Sequence, residues 1–352
     1  MPKNTEKDKS HDFQPKLNIA TEYDHYYQDG ELSLYNRRFG KSRVIPRERS
    51  VINSAFKRIY NNITIYKKQK IKTFRILDFG CGDGRLFPVI NELAQRYPDI
   101  NIVLIAYDPS RVALDTFKNF LEVQSYKNSN VQSRNKKHGY IDSCYNKDNL
   151  IVVLIHANIK DKPSYIKTLI KEPINLIFSF FTVLGLILKR NKRQCTIKSL
   201  KKILCYEGEM IINVSTKQSV VKQVEAYDLL RSQYHIAKKN NIFSVAKNLK
   251  KTLSLATEPG DFYNIICNGL NTVSFYGHAY NAAELIEDLQ SANLSVSSAK
   301  VLSIDQPYIL SKKPIMKFVD AAISIVLSIN FYPFNEFSKI AKNIFVIGKK
   351  IS

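Results

Sequence analysis

The sequence lacks the paired cysteines that would mark a zinc site or a redox motif. Its five cysteines form no Cys-x-x-Cys pair and no zinc-ligand spacing: Cys81, Cys144, Cys195, Cys205 and Cys267. An odd number of cysteines without a secretory signal indicates reduced thiols. Residues 1–16 are polar and mixed in charge, so neither a signal peptide nor a transit peptide is visible. These absences predict a cytoplasmic protein with no bound metal ion.

The sequence also lacks an internal repeat and a clear membrane span. One apolar stripe, residues 315–327, is interrupted by Asp320 and followed by Asn330. It falls short of the roughly 20 apolar residues that a transmembrane helix needs. A helix packed in the core is therefore favoured over one that lies on a membrane surface.

The bulk composition is that of a globular protein, apart from its charge. The chain has 352 residues, of which 44% are hydrophobic and 24% charged, and it can form one enlarged domain or a domain with a cap. The formal net charge of +22 would suit RNA, an anionic membrane surface or acidic substrates. The lysines are scattered, however, so compositional drift explains the charge equally well.

Residues 75–85, Arg-Ile-Leu-Asp-Phe-Gly-Cys-Gly-Asp-Gly-Arg, are typical of a buried strand that breaks into a glycine turn. Apolar residues then resume at helical spacing from Leu86 to Leu93. A phosphate-binding P-loop would need Lys-Ser/Thr after the last glycine, and a dinucleotide fingerprint would need its third glycine three residues after the second. Neither pattern is present, and Asp78 would repel a pyrophosphate.

The pattern of an acid, any residue and then Gly-x-Gly-x-Gly resembles the first motif of class I S-adenosylmethionine (SAM)-dependent methyltransferases. The resemblance implies that Asp78 and the loop bind the methyl donor, with Gly80, Cys81 and Gly82 in contact with it. An acid at the end of the strand suits a sulfonium compound that carries an ammonium group. The alternative is that the glycines serve only the turn.

A second apolar run, residues 102–107, ends at Asp108. Asp108 lies 24 residues after Gly84, near the distance at which an acid reaches ribose hydroxyls in nucleotide-binding α/β units. The alternative is that Asp108 or Ser110 caps the helix predicted over residues 111–121. The spacing favours ribose binding.

Further apolar runs at residues 151–155, 174–181 and 210–214 alternate with helical segments. This βαβ alternation predicts a doubly wound, mostly parallel sheet. With predicted strands at 295–304 and 343–349, we expect a seven-stranded Rossmann-like sheet closed by an antiparallel edge strand. The family resemblance also assigns Asn158 to the adenine amino group and Phe180 to the cofactor site.

The composition predicts four parts of the chain. Residues 1–50 form an N-terminal arm, and residues 51–215 form the cofactor-binding core with a polar insertion at 124–149. Residues 216–280 form an inserted substrate cap, and residues 281–352 complete the core around a helical insertion at 305–342.

The resemblance implies in-line transfer of a methyl group to an O, N or C nucleophile, a reaction that requires alignment more than acid–base chemistry. The sequence therefore does not identify the catalytic residues. Tyr276 and His278, in the expected cap, are weak acid–base candidates, with aromatic packing as the alternative. A small-molecule or lipid-like acceptor is favoured, with tRNA or other RNA second and a non-catalytic binding module third.

Overall fold

The computed structural model describes a three-layer α/β domain in part of the chain. The described residues are 46–66, 68, 71–129, 139–158, 163–180, 183–187, 189–216, 260–268, 271–304 and 341–351.

A nine-stranded sheet forms the middle layer, in the order β10-β11-β7-β6-β1-β2-β5-β4-β3. Its central strands β7, β6, β1, β2 and β5 are parallel to one another. The strands are β1 (Thr73–Phe79), β2 (Asn101–Asp108), β3 (Lys127–Asn128), β4 (Gly139–Lys147), β5 (Leu150–Ala157), β6 (Ile174–Ser179), β7 (Leu204–Ser215), β10 (Ser295–Ile304) and β11 (Ala341–Lys349). A separate antiparallel hairpin consists of β8 (Asp261–Asn268) and β9 (Asn271–His278).

Helices cover both faces of the sheet. They are α1 (Pro46–Asn61, continued by a π-helical turn at Asn62–Tyr66), α2 (Phe87–Arg96), α3 (Arg111–Val123), α4 (Ile166–Leu169), α5 (Arg190–Ile203) and α6 (Ala282–Ser291), with 3₁₀ turns at Pro163–Tyr165 and Leu184–Leu186. Apolar residues of α1, α2 and α3 pack in one buried cluster, and those of α4, α5 and α6 pack in a second. The sheet is therefore doubly wound, as the sequence predicts.

Helix α1 runs along one face of the sheet from its carboxyl edge to its amino edge. Near the start of α1, Glu48 forms an ion pair with Arg85 beside the glycine turn. Near its end, Arg58 forms an ion pair with Glu209 in the first half of β7, at a distance of 2.6 Å. Side chains at Ile52, Phe56 and other positions on the same stripe are buried against the sheet between these two points.

The prediction of seven strands is wrong, because the polar segment 124–149 contributes two more. Its residues form β3 and β4, and β4 pairs antiparallel with β5. The sequence of this segment predicts no regular structure, because β4 is partly exposed and so carries polar residues. The closing strand β11 is antiparallel, as predicted, but it is not at the edge: it lies between β7 and β10.

Several predictions fall on residues outside the described part of the chain. These are the arm up to residue 45, most of the cap (217–259) and the helical insertion (305–340), which includes the apolar stripe at 315–327. Within the described residues of the cap, the structure contains the β8–β9 hairpin. Among the helices of the described residues, none has the length and apolar character needed to cross a bilayer.

Candidate functional site

The topology of the sheet locates a crevice. The chain moves from β1 outward through β2 to β5, then returns to the other side of β1 to form β6 and β7. In open α/β sheets, ligands bind at this change of direction, outside the carboxyl ends of the strands. Here the crevice lies between the carboxyl ends of β1 and β6, where Asp78 and Ser179 are the last polar residues of their strands.

The glycine turn after β1 is fixed against the end of β2. The backbone amides of Gly80 and Cys81 both donate to the carbonyl oxygen of Tyr107, at 2.8 and 2.9 Å. Gly80, Gly82 and Gly84 all have positive φ angles, of 86°, 55° and 84°. Only glycine adopts this sequence of left-handed conformations without strain.

Two of the three glycines also serve protein packing. A Cβ atom on Gly80 would overlap with the side chain of Val183, and one on Gly84 would overlap with the ring of Phe117. The turn and its neighbours therefore require glycine at positions 80 and 84. These two positions do not by themselves indicate space for a ligand.

Asp108 at the end of β2 is held by backbone amides. One carboxylate oxygen accepts from the amide of Gly82 and the other from the amide of Ser110, each at 2.8 Å. The cap of helix α3 is Ser110, whose hydroxyl oxygen accepts from the amide of Ala113 at 3.1 Å. Each carboxylate oxygen can accept a second hydrogen bond. The structure thus connects Asp108 directly to the glycine turn.

Asp78 is the most unusual carboxylate of the site. Its side chain is buried, with 3% of its surface exposed, and no group among the described residues donates a hydrogen bond to it. Burial raises the pKa of Asp78 to about 7; the charge of Arg85 lowers this pKa, and the charges of Asp108 and Glu48 raise it. A buried carboxylate of this kind is costly unless a partner supplies positive charge or donors.

Sequence reasoning missed a buried ion pair at the same place. Arg85, directly after the third glycine, forms two hydrogen bonds with Glu48 of α1, at 2.6 and 3.0 Å. Both side chains are almost completely buried. The arginine could have been noticed as a charged residue at the start of a core helix, but its partner, 37 residues earlier, leaves no pattern in the sequence.

Two further residues that the resemblance assigns to the cofactor lie at the same edge but differ in exposure. Asn158 is exposed directly after β5. Phe180, one residue past β6, is buried, and its ring centre lies 5.4 Å from that of Phe178. Phe180 therefore takes part in the core, whereas Asn158 lies at the surface.

The two acid–base candidates lie in strand β9. Tyr276 pairs with Tyr263 of β8 through its backbone, and its side chain is outside the described part. His278 is 1% exposed, and its ring nitrogens face Asp261 at 2.8 Å and Glu284 at 2.7 Å. Burial lowers the pKa of His278, but these two hydrogen bonds outweigh burial and raise the pKa overall.

The environment of His278 favours a structural role. A ring with a carboxylate on each nitrogen satisfies both contacts only when both nitrogens carry protons. Arg193 extends the cluster, with its guanidinium 3.4 Å from Glu284 and above the ring of Tyr280. The cluster joins the base of the β8–β9 hairpin to α5 and α6, and neither ring nitrogen is available to a substrate.

Comparison with known proteins yields distant structural similarities. No protein-family model and no curated protein matches the sequence. A SAM-dependent methyltransferase structure from Methanosarcina mazei is 12% identical, with a TM-score of 0.44 over 82% of this chain and 97% of its own. A SAM-dependent methyltransferase structure from Clostridium acetobutylicum is also 12% identical, with a TM-score of 0.44 over 94% of this chain and 99% of its own. The CcbJ methyltransferase from Streptomyces caelestis is 8% identical, with a TM-score of 0.43 over 79% and 84%.

Proposed function

We propose that this protein is a SAM-dependent methyltransferase. The observation that carries the proposal is Asp78, a buried carboxylate with no hydrogen-bond donor among the described residues, at the point where the sheet topology places a ligand. Such a group binds a cation and rejects a pyrophosphate. The ammonium group of the methionine part of SAM supplies both the positive charge and the donors that Asp78 lacks.

The remaining groups fit the other parts of the same ligand. Asp108, at the end of β2 beside the glycine turn, would accept from the two ribose hydroxyls. Asn158, exposed at the end of β5, would hydrogen-bond to the adenine amino group. When bound, the cofactor supplies an electrophilic methyl group. The residues of this chain orient it and exclude water, which is the main requirement of an in-line displacement.

We infer that the acceptor is a small or lipid-like molecule enclosed by residues 216–280. This segment leaves the core at Thr216, directly after β7, and returns at Tyr280, which forms a β-bridge with Thr216. Both points lie at the carboxyl edge of the sheet, the edge that carries Asp78. An insertion that starts and ends beside the crevice is well placed to cover it.

RNA is the second candidate, and its support is the net charge of +22. The described part of the chain, however, contains a basic cleft of about 310 Å³ near the starts of β6 and β7. This cleft is lined by Lys167, Lys171, Lys202 and Lys350. This is the amino edge of the sheet, opposite to Asp78. RNA bound there would not bring a nucleophile to the crevice, which favours the small acceptor.

The proposal is tested by calorimetric titration of the full chain with SAM. We expect one site with micromolar affinity, in the range typical of enzyme substrates. A heat trace without binding would refute the methyltransferase proposal. A parallel titration with tRNA at increasing salt separates the acceptors, since specific RNA binding with a steep salt dependence would favour RNA over the enclosed small molecule.

A further inference from the structure

Three charged side chains converge beside the glycine turn. Arg85 and Glu48 form a two-pronged ion pair in which both partners are at most 5% exposed. The charges of both residues act on Asp78. The charge of Asp108 also acts on Asp78, so the negative charges outnumber the one positive charge of Arg85, which favours a cationic ligand.

Arg85 is the cation among the described residues whose charge acts on Asp78. A buried guanidinium close to a buried carboxylate gains a strong, two-pronged interaction when it can reach it. In the structure the hydrogen bonds of the Arg85 guanidinium to Glu48 hold it instead, at 2.6 and 3.0 Å. Arg85 therefore satisfies Glu48, and Asp78 accepts no hydrogen bond from the described residues.

We propose that Glu48 is a positioning residue for the methyl donor: by holding Arg85, it prevents a salt bridge between Arg85 and Asp78 and so keeps Asp78 available to the ammonium group of SAM. This inference rests on the proposed function. It gives helix α1 a part in cofactor binding, because its first turn supplies the glutamate. Other contacts keep α1 in place, namely the ion pairs Arg49–Glu92 and Arg58–Glu209.

The alternative is that the Glu48–Arg85 pair only fastens α1 to the start of α2. The two roles differ in what happens when the arginine is also removed. A fastening role predicts that the double variant binds SAM as weakly as either single variant, because the contact is lost in each. A positioning role predicts that removal of Arg85 rescues the loss of Glu48, because the competing cation is then absent.

The test is a set of titrations with two ligands, SAM and 5′-methylthioadenosine, which lacks the ammonium group. In Glu48→Gln we expect the Kd for SAM to rise by about tenfold or more, and the Kd for 5′-methylthioadenosine to change less than about threefold. In the double variant Glu48→Gln/Arg85→Gln, the Kd for SAM returns to within about threefold of the wild-type value. Arg58→Gln, which breaks a different contact of α1, is the matched control and leaves both constants unchanged.

The outcomes separate this inference from the proposed function. Wild-type protein that does not bind SAM overturns both. Wild-type protein that binds SAM, with a Glu48→Gln variant of equal affinity, overturns the positioning role alone. A double variant that stays as weak as Glu48→Gln, or an equal loss for both ligands, also overturns it. If Glu48→Gln does not fold, the double variant decides: affinity for SAM close to wild type supports the role, and a selective tenfold loss contradicts it.

Discussion

Two buried clusters of charge at the carboxyl edge of the sheet differ in how they are satisfied. At the base of the β8–β9 hairpin, Asp261 and Glu284 each accept from His278, and Glu284 also lies close to Arg193. At the glycine turn, Arg85 is held by Glu48, and Asp78 accepts no hydrogen bond from the described residues. In the hairpin cluster both carboxylates thus face a cationic partner, and we infer that this cluster fastens elements together, whereas we expect Asp78 to bind a ligand.

The largest effect that would sharpen this comparison is a change of stability with pH. The pKa of Asp78 is about 7 in the folded protein and 3.8 in the unfolded chain, so protonation of Asp78 stabilises the folded state. Stability is therefore lost as pH rises from about 4 through about 7. Relative to wild type without ligand, we expect Asp78→Asn to be equally stable at pH 4 and more stable at pH 8, by up to about 4 kcal/mol. Urea unfolding at both pH values measures the difference.

A gain that is the same at pH 4 and pH 8 would contradict the assignment of the effect to ionisation of Asp78. Asp115→Asn is the control variant. Ser110 is unsuitable for this purpose because it caps α3. Asp115 lies on the surface of α3 in an ion pair with Arg111, and we expect a change of less than about 1 kcal/mol at either pH.

The next effect breaks the cluster at the base of the β8–β9 hairpin. His278→Ala leaves the carboxylates of Asp261 and Glu284 without their shared partner, and loss of one member of a buried charge cluster costs about 3 kcal/mol. We expect a lower free energy of unfolding at pH 6 and an unchanged Kd for SAM. Because the pKa of His278 is raised, its contribution is present below a pH of about 6.5 and is lost as pH rises through the folded-state pKa. A variant with normal stability and a loss of methyl transfer would instead identify His278 as an acid–base residue.

The smallest effect concerns the glycine turn that supports Asp78. Gly84→Ala places a methyl group against Phe117 at a φ angle of 84°, and we expect it to lower the free energy of unfolding by about 2 kcal/mol. The double variant Gly84→Ala/Phe117→Ala removes the overlap and tests the cause. Gly84→Ala with wild-type stability would show that the turn tolerates a side chain at this position.

The parts of the fold that the sequence predicts are those buried on both faces. Strands β1, β2, β5 and β6 are central and parallel, so they appear as continuous apolar runs, and an aspartate marks the carboxyl ends of β1 and β2. The same property explains why the glycine turn and Asp108 can be recognised in the sequence and lie together in the structure. Their contact, from the Gly82 amide to Asp108, joins two strand ends.

The parts that the sequence does not predict depend on contacts between distant residues. Strand β4, Gly139–Lys147, is partly exposed and mixes polar with apolar residues, so neither a helical nor a strand periodicity is visible. The position of β11 inside the sheet is set by its pairing with β7 and β10, which no local pattern encodes. The Glu48–Arg85 pair is also non-local, and a single glutamate in a helix gives no signal of its partner.

The most direct test of the central claim is a titration of two matched variants with SAM. Asp78→Asn removes the carboxylate beside the glycine turn, and Asp261→Asn removes a carboxylate that accepts from His278. We expect Asp78→Asn to raise the Kd for SAM by about 30-fold or more, as for the loss of one partner of a buried charge pair. Asp261→Asn should leave the Kd within about threefold of wild type and lower the melting temperature. An Asp78→Asn variant that binds SAM as tightly as wild type would contradict the account.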